Sequence, residues 1–446
     1  MMLQKYLLQS VMVSALLGLS ACGGWLGEQE APPLPGERIS VLAYDQTLVA
    51  DTSVQAAPFA LPEMQANSHW ITAGGNLSHV GGHYALSEAA LDEAWSQDIG
   101  DSVDADQPIM PSPIIVGSVV YTIDSGANLT AFNNESGKEL WDTSLQPEGM
   151  DKEISSGGLT YANGQLFAAT GYGEIIALAP DTGAVIWRSK VATPLRSAPV
   201  ANEGRVFVVT IDNQLVALDA VTGQILWTHA GIIETAGLLG APSPALGAEG
   251  LLLVAYSSGE LYALKQETGR ELWSDNLTAR RSEGGILSIA AIRAQPVLAA
   301  NGQVALSVSN SGRLVAMDVR SGQRIWEQRL AGTQMPWVAG DTVFIITNQS
   351  QLVALTLRDG KVRWVQQLPA WEYPEDRMGL ISWYGPVLAG GKLWLTNSAG
   401  RLKAYDPQNG GELETLKLDS KTNRAPIVSG GMLYTLSDSA ELTAWR

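Results

Sequence analysis

The 446-residue chain holds few side chains able to run chemistry: histidines at 69, 79, 83 and 229, and a single cysteine, Cys22. His79 and His83 have the i, i+4 spacing that puts two zinc ligands on one helix face, but Gly81-Gly82 between them argues against a helix. No H-E-x-x-H stretch is present, so the four read as loop or capping histidines. Asp101, Asp104 and Asp106 could gather a cation, yet they lack the spacing and glycine of a calcium loop and read as a solvated acidic loop. There is no G-x-S-x-G, no P-loop and no complete dinucleotide glycine motif. One cysteine excludes an internal disulfide framework and a Cys-based structural zinc site. No metal and no cofactor is expected.

Composition narrows the classes further. With 28 basic and 45 acidic residues the formal charge is -17, which excludes a nucleic-acid-binding surface. Apolar content of 46% is enough to bury a large core and excludes a disordered chain. Only 16% of residues are charged, against about 25% in an average soluble protein. Glycine (46) and tryptophan (14) are both abundant.

The amino terminus reads as a secretory signal over 1–21. Lys5 is the only charge before Glu28, and Tyr6 to Leu19 form a mainly apolar run shorter than a spanning helix. It ends in Leu19-Ser20-Ala21-Cys22, which resembles a bacterial lipoprotein signal cut before the cysteine, with the Cys22 thiol lipidated. Gly23 rather than Asp follows, so the resemblance implies the periplasmic face of the outer membrane, held by the lipid anchor only. An ordinary signal peptide that happens to contain a cysteine is the alternative. Residues 22–69 are expected to be a tether, punctuated by Pro32, Pro33, Pro35, Pro58 and Pro62, with Arg38–Leu42 as a possible short strand.

The elements that would position any site come from a repeat over 110–446. Leu/Ile-x-Ala recurs eight times, ending at Ala131, Ala177, Ala217, Ala263, Ala316, Ala354, Ala404 and Ala444. Six residues after each of the first seven comes Gly, and ten after comes Trp in six of them: Trp141, Trp187, Trp227, Trp273, Trp326 and Trp364. Glu414 takes the seventh position. A turn containing Gly lies 13 or 14 residues upstream of each Ala, and seven units place a Pro shortly before it. Four short strands per 38–53-residue unit is the signature of a propeller blade. The expected fold is an all-β, eight-bladed β-propeller of four-stranded antiparallel blades over 70–446. Trp95 in Leu91–Trp95 resembles the outer-strand segments, so this stretch should pair with the last unit and close the ring. The seven tryptophans are expected to dock blade on blade.

The Leu-x-Ala-x5-Gly-x3-Trp spacing resembles the pyrroloquinoline-quinone-type repeat of quinoprotein dehydrogenases. A lipoprotein with eight such blades and little else resembles the BamB family of outer-membrane β-barrel assembly. Trp70-x3-Gly74-Gly75-x3-His79 and Pro33–Arg38 resemble features of its alphaproteobacterial members. The resemblance implies a non-catalytic scaffold binding the periplasmic domains of the barrel-forming subunit, with unfolded outer membrane proteins as further partners. It also implies a partner surface on interblade loops near 235–243 and 280–295. There this chain carries Leu238, Leu239, Arg280, Arg281 and Arg293, and lacks the family's arginine in the first loop and acidic pair in the second. Loop packing for the leucines and a solvated surface for the arginines are the alternatives. A quinone-dependent enzyme is the rival class; its vicinal cysteine pair cannot exist here, because the chain has one cysteine. Trp371, Tyr373, Trp383 and Tyr384 form an aromatic group that either packs over the propeller or engages extended polypeptide.

Overall fold

The computed structural model describes residues 48–55, 59–103, 110–150, 157–191, 193–195, 197–233, 241–278 and 291–446. Cys22, Arg38–Leu42, Asp104, Asp106, Leu238, Leu239, Arg280 and Arg281 lie outside these residues. Among the described residues, eight four-stranded antiparallel sheets follow one another in chain order, each running from the axis outward. Blade three is representative: Val200–Asn202, Arg205–Val209, Gln214–Asp219 and Ile225–Ala230. Its two central strands are buried on both faces, whereas the outer strand alternates toward solvent. The eighth blade takes its outer strand, Glu93–Asp98, from the other end of the chain, where it pairs with Glu441–Trp445. The ring closes as Leu91–Trp95 predicts, and no interior edge is left open.

The repeat has a packing explanation. Ala217 lies directly across from Phe207 on one side and Trp227 on the other. The alanine keeps its position low, so the two rings meet over it with centroids 5.8 Å apart. The same row forms in blades one, two and six, through Tyr121–Trp141, Phe167–Trp187 and Phe344–Trp364. In blade eight Tyr434 and Trp95 do the same across Ala444. The ten-residue Ala-to-Trp spacing is thus a cross-strand register, with a bulge just before each Trp.

Each indole then reaches the next blade. Trp187 Nε1–H donates to the Ala220 carbonyl at 3.1 Å, and its ring lies where a side chain on Gly223 would stand. Gly223 has φ +73, and an added Cβ would come within 2.6 Å of the Trp187 ring. Equivalent bonds run from Trp95 to Asn134, Trp141 to Pro180, Trp227 to Gln266, Trp273 to Val319, Trp326 to Leu357 and Trp364 to Pro407. The glycine six residues after the alanine is therefore the seat for the previous blade's tryptophan. Glu414 breaks the pattern for a reason. The turn it would dock on does not exist, because blade eight is where the two chain ends meet. Glu414 instead accepts the Leu91 N–H at 3.3 Å and pairs with Lys392 at 2.9 Å.

The axial channel is filled by residues 67–84, which visit the blades in turn. Asn67 bonds blade eight through Val428 and Gly430. His69–Trp70 adds a fifth strand inside Ile114–Val116 of blade one. The Ile71 carbonyl accepts from Tyr161 of blade two, and Thr72 Oγ1 reaches the Pro199 carbonyl beside blade three. The Leu77 and Ser78 carbonyls accept from Leu246 and Leu298 of blades four and five. Gly82 accepts the Trp337 indole of blade six, and Tyr84 exchanges backbone bonds with Leu388 and Gly390 of blade seven. This hoop satisfies inner-edge N–H groups that would otherwise face an empty channel. Gly74 is needed in it because a Cβ there would sit 2.2 Å from the His79 ring. His79 is wholly buried, with Nδ1 2.9 Å from the Pro296 carbonyl, so Nδ1 carries the proton.

Of the stretch expected to be a tether, residues 48–55 and 59–69 run along the ring. Asp51 N–H donates to the Val362 carbonyl of blade six's outer strand, and the Arg363 guanidinium lies 4.5 Å over the Phe59 ring. Val362 and Arg363 are accordingly buried, whereas the matching Ile225 and Leu226 of blade three are exposed.

Two outcomes are expected. Gly204 has φ +75 with open space around it, so Gly204→Ala should cost only about 1 kcal/mol of backbone strain. Gly223→Ala adds the collision with Trp187 and should cost roughly 3 kcal/mol. Equilibrium urea unfolding of the two variants checks this, and equal losses would remove the seat argument. Burial lowers the His79 pKa to about 4, against 6.5 for an ordinary imidazole in water. Below pH 6.5 the unfolded chain takes up a proton that folded His79 refuses, so stability falls between pH 6.5 and about 4 and then levels. The difference between wild type and His79→Asn should change over that window by roughly 3 kcal/mol, read from urea midpoints at pH 7.5 and 4.5.

Candidate functional site

The loops entering each blade gather at the axis around a cavity of about 420 Å³. Its wall follows from the repeat, because the residues just before each inner strand line it, from Ser112 through Ala198 and Gln295 to Ala425. The hoop contributes Trp70 and Ala73. Polar groups are Gln295, Gln334, Asn423 and two arginines, Arg293 and Arg424. Arg424 is buried and held by three carbonyls: Met110 to Nε, and Leu436 and Ser437 to Nη1. Its Nη2 has no hydrogen-bond partner and lies 3.7 Å from Asp438 Oδ1. Burial lowers the Arg424 pKa to about 10, so it stays charged at neutral pH. No carboxylate is among the described lining residues, and no described cluster of His, Cys, Asp or Glu could hold a metal ion. A Ca²⁺-bound quinone with a carboxylate base does not fit this lining.

A second feature sits on blade three. Ile232 and Ile233 are 59% and 74% exposed at the point where the chain leaves the outer strand. They are held from below: Ile232 N–H donates to Glu260 Oε2 at 2.8 Å, and Asn213 Nδ2 donates to the Ile232 carbonyl at 2.8 Å. Glu260 also accepts from Ser258 Oγ and from the Tyr262 hydroxyl, both at 2.8 Å. Burial and that bond push the Tyr262 pKa up to about 12. His229 stacks on Tyr256, and burial depresses its pKa. The cluster has the makeup of a rigid pedestal for an apolar pair. Ile211, on the same turn as Asn213, is exposed as well.

Of the expected partner residues, Arg293 is described: it is exposed and lines the axial cavity. Ala241, in the first expected loop, lines it too. Ile232 and Ile233 were not singled out by sequence reasoning. The signal was there, two β-branched residues following an outer strand, where other blades turn polar or small. The histidines are structural. His69 Nδ1 accepts the Gly117 N–H, His83 bridges Pro62 and Gly391, and His229 contacts Tyr256. The aromatic group divides. Trp383 is buried with its indole on the Pro369 carbonyl, and Tyr384 lines the axial cavity. Trp371–Tyr373 and Met378–Leu380 form a separate hairpin exposing Tyr373, Met378 and Leu380.

The family model for outer membrane protein assembly factor BamB matches residues 125–366, more than half of the chain. The chain belongs to the BamB family. An uncharacterised protein of Rickettsia prowazekii is 29% identical over 54% of this chain and 58% of its own length. The Salmonella typhimurium outer membrane protein assembly factor BamB is 29% identical over 56% of this chain and 64% of its own. These matches span less than two thirds of either relative. The Escherichia coli BamB is 27% identical over 76% of this chain and 85% of its own length. Among solved structures, BamB from Moraxella catarrhalis superposes with TM-score 0.67 at 17% identity, covering 80% of this chain and 100% of that one. A europium-containing methanol dehydrogenase superposes with TM-score 0.66 at 15% identity over 85% of this chain and 98% of that one. Both structural likenesses concern the fold.

Proposed function

We propose that this protein is a non-catalytic scaffold in outer-membrane β-barrel assembly, anchored by lipid at Cys22 on the periplasmic face of the outer membrane. The observation that carries the reading is the family match over 125–366, which spans both expected partner loops. In this reading the partner is the barrel-forming subunit, engaged through its periplasmic domains at the blade-three and blade-five loops. Leu238, Leu239, Arg280, Arg281 and Arg293 would contribute from the loops, and Ile232–Ile233 as an apolar anchor beside them. Two exposed β-branched residues on a fixed stem lose little side-chain entropy on binding, which suits them to the centre of an interface. Unfolded outer membrane proteins are further partners in the same reading. The rival, a quinone-dependent dehydrogenase, draws on the methanol dehydrogenase fold likeness, and the absence of carboxylates among the described axial lining residues speaks against it.

Affinity purification of the full chain from detergent-solubilised membranes tests the scaffold reading. The barrel-forming subunit should co-purify, and Ile233→Asp should lower its recovery at least tenfold. Leu140→Asp, on the exposed rim of blade one, should leave recovery unchanged. Recovery of the chain without any assembly subunit would sink the reading. Stoichiometric uptake of pyrroloquinoline quinone with Ca²⁺, followed by absorbance, would favour the dehydrogenase instead.

A further inference from the structure

The axial cavity continues into a second one of about 190 Å³, and the two share Arg293, Thr333, Gln334 and Tyr384. The second cavity leads under the hairpin and is lined by Ile346, Leu380, Ile381 and Trp383. Thr347, Asn348, Ser350 and Ser382 line it as well, so the result is a trench that is cationic at the axis and of mixed polar and apolar lining toward the edge of blade six. In a chain with net charge -17, the only charged side chains among the described lining residues of both cavities are Arg293 and Arg424. The Asp438 carboxylate lies 3.7 Å from Arg424 and is not a lining residue, and burial raises its pKa. Both guanidinium charges act on Tyr384: burial raises its pKa, while Arg293 and Arg424 pull it down. Beside the arginines stand Trp70, Trp337 and Met335.

We infer that the trench receives the free C-terminal carboxylate of an extended polypeptide whose last side chain is apolar. Arg293 meets the carboxylate at the mouth, and Arg424 supplies a fixed charge from the wall. Guanidinium donors suit a carboxylate's two oxygens, and desolvation in a cavity strengthens the bond. The last side chain packs against Trp70, Trp337 and Met335. The preceding residues run out past Tyr384 toward Leu380. A small acid would use only the axial end, and about 420 Å³ falls within the range of a small-ligand site. The second cavity is what points to a chain. Capture of a chain end by its terminal charge is a known recognition mode.

This inference does not rest on the assembly reading, and its test uses the purified full chain alone. The probes are a fluorescein-labelled hexapeptide ending in leucine with a free carboxylate, the same peptide amidated, and 3-phenylpropanoate. The free-acid peptide should bind with a submillimolar Kd that weakens as salt rises. Amidation should weaken it at least tenfold, and Arg293→Gln at least fivefold. Leu380→Asp should weaken the peptide severalfold and leave 3-phenylpropanoate unchanged. Equal binding of acid and amide, or no effect of Arg293→Gln in a variant with wild-type circular dichroism, would overturn the proposal. So would 3-phenylpropanoate matching the peptide, which would make this a small-acid pocket. Absence of peptide binding to 10-fold above the expected Kd range overturns it as well. Indole N–H resonances of Trp70 and Trp337 provide a second readout, and they should shift with the acid and stay still with the amide.

Discussion

Each blade is a sheet that must bury both faces, and the joint that buries them is an indole seated on the next blade's glycine turn. The joint joins three requirements in one place. The alanine across the strand gives the indole room, the aromatic beyond the alanine covers its other side, and the glycine leaves its seat open. The indole N–H finds a carbonyl in the neighbouring blade, so the largest apolar side chain of the repeat buries no unpaired donor there. Changing any one member leaves a void, a collision or an orphaned polar group. Seven seated indoles carry the ring, five with an aromatic across the alanine and two, Trp273 and Trp326, with Leu253 and Leu306 there, and the eighth joint is a polar closure through Glu414, Lys392 and the Leu91 amide.

A ring built this way leaves a problem at its centre, since eight inner edges point backbone donors at the axis. The hoop at 67–84 meets them with carbonyls, one blade after another. In doing so it converts a channel into a cavity with one wall made of Trp70 and Ala73. The prolines at seven inner edges, six just before the strand and Pro386 within Trp383–Ala389, limit further pairing at the same edge because they carry no N–H. The chemistry at the axis is therefore set by what remains after backbone demands are met: two arginines, three amides and aromatic rings.

The blades differ in what the repeat leaves free. Alanine, glycine and tryptophan positions are spent on joints, and the loops between blades are not. Blade three departs from the others in bearing Ile232 and Ile233 on a polar pedestal of Glu260, Asn213 and Tyr262. Blade six departs in having its outer strand contacted by Asp51 and Phe59, with Phe59 on Arg363. These asymmetries give an eightfold scaffold distinct faces for different contacts.

The eight-bladed ring, the number and place of the strands, and closure by Leu91–Trp95 were all legible in the sequence. They follow from spacing, and a repeat of Ala, Gly and Trp at constant offsets is a local pattern that survives without knowledge of long-range contacts. That the tryptophans dock blade on blade was expected too, but the glycine on which each is seated and the alanine it faces were not legible, because the Trp–Gly seat joins residues of different blades and the Ala–Trp register joins different strands. Trp70, Gly74 and His79 stood out as a motif, yet their role in filling the axis depends on eight blades having already formed around them. The absence of carboxylates among the described lining residues, and the meeting of Arg293 with Arg424 there, are likewise tertiary facts: the two lie 131 positions apart and share a wall only because the ring curves back on itself.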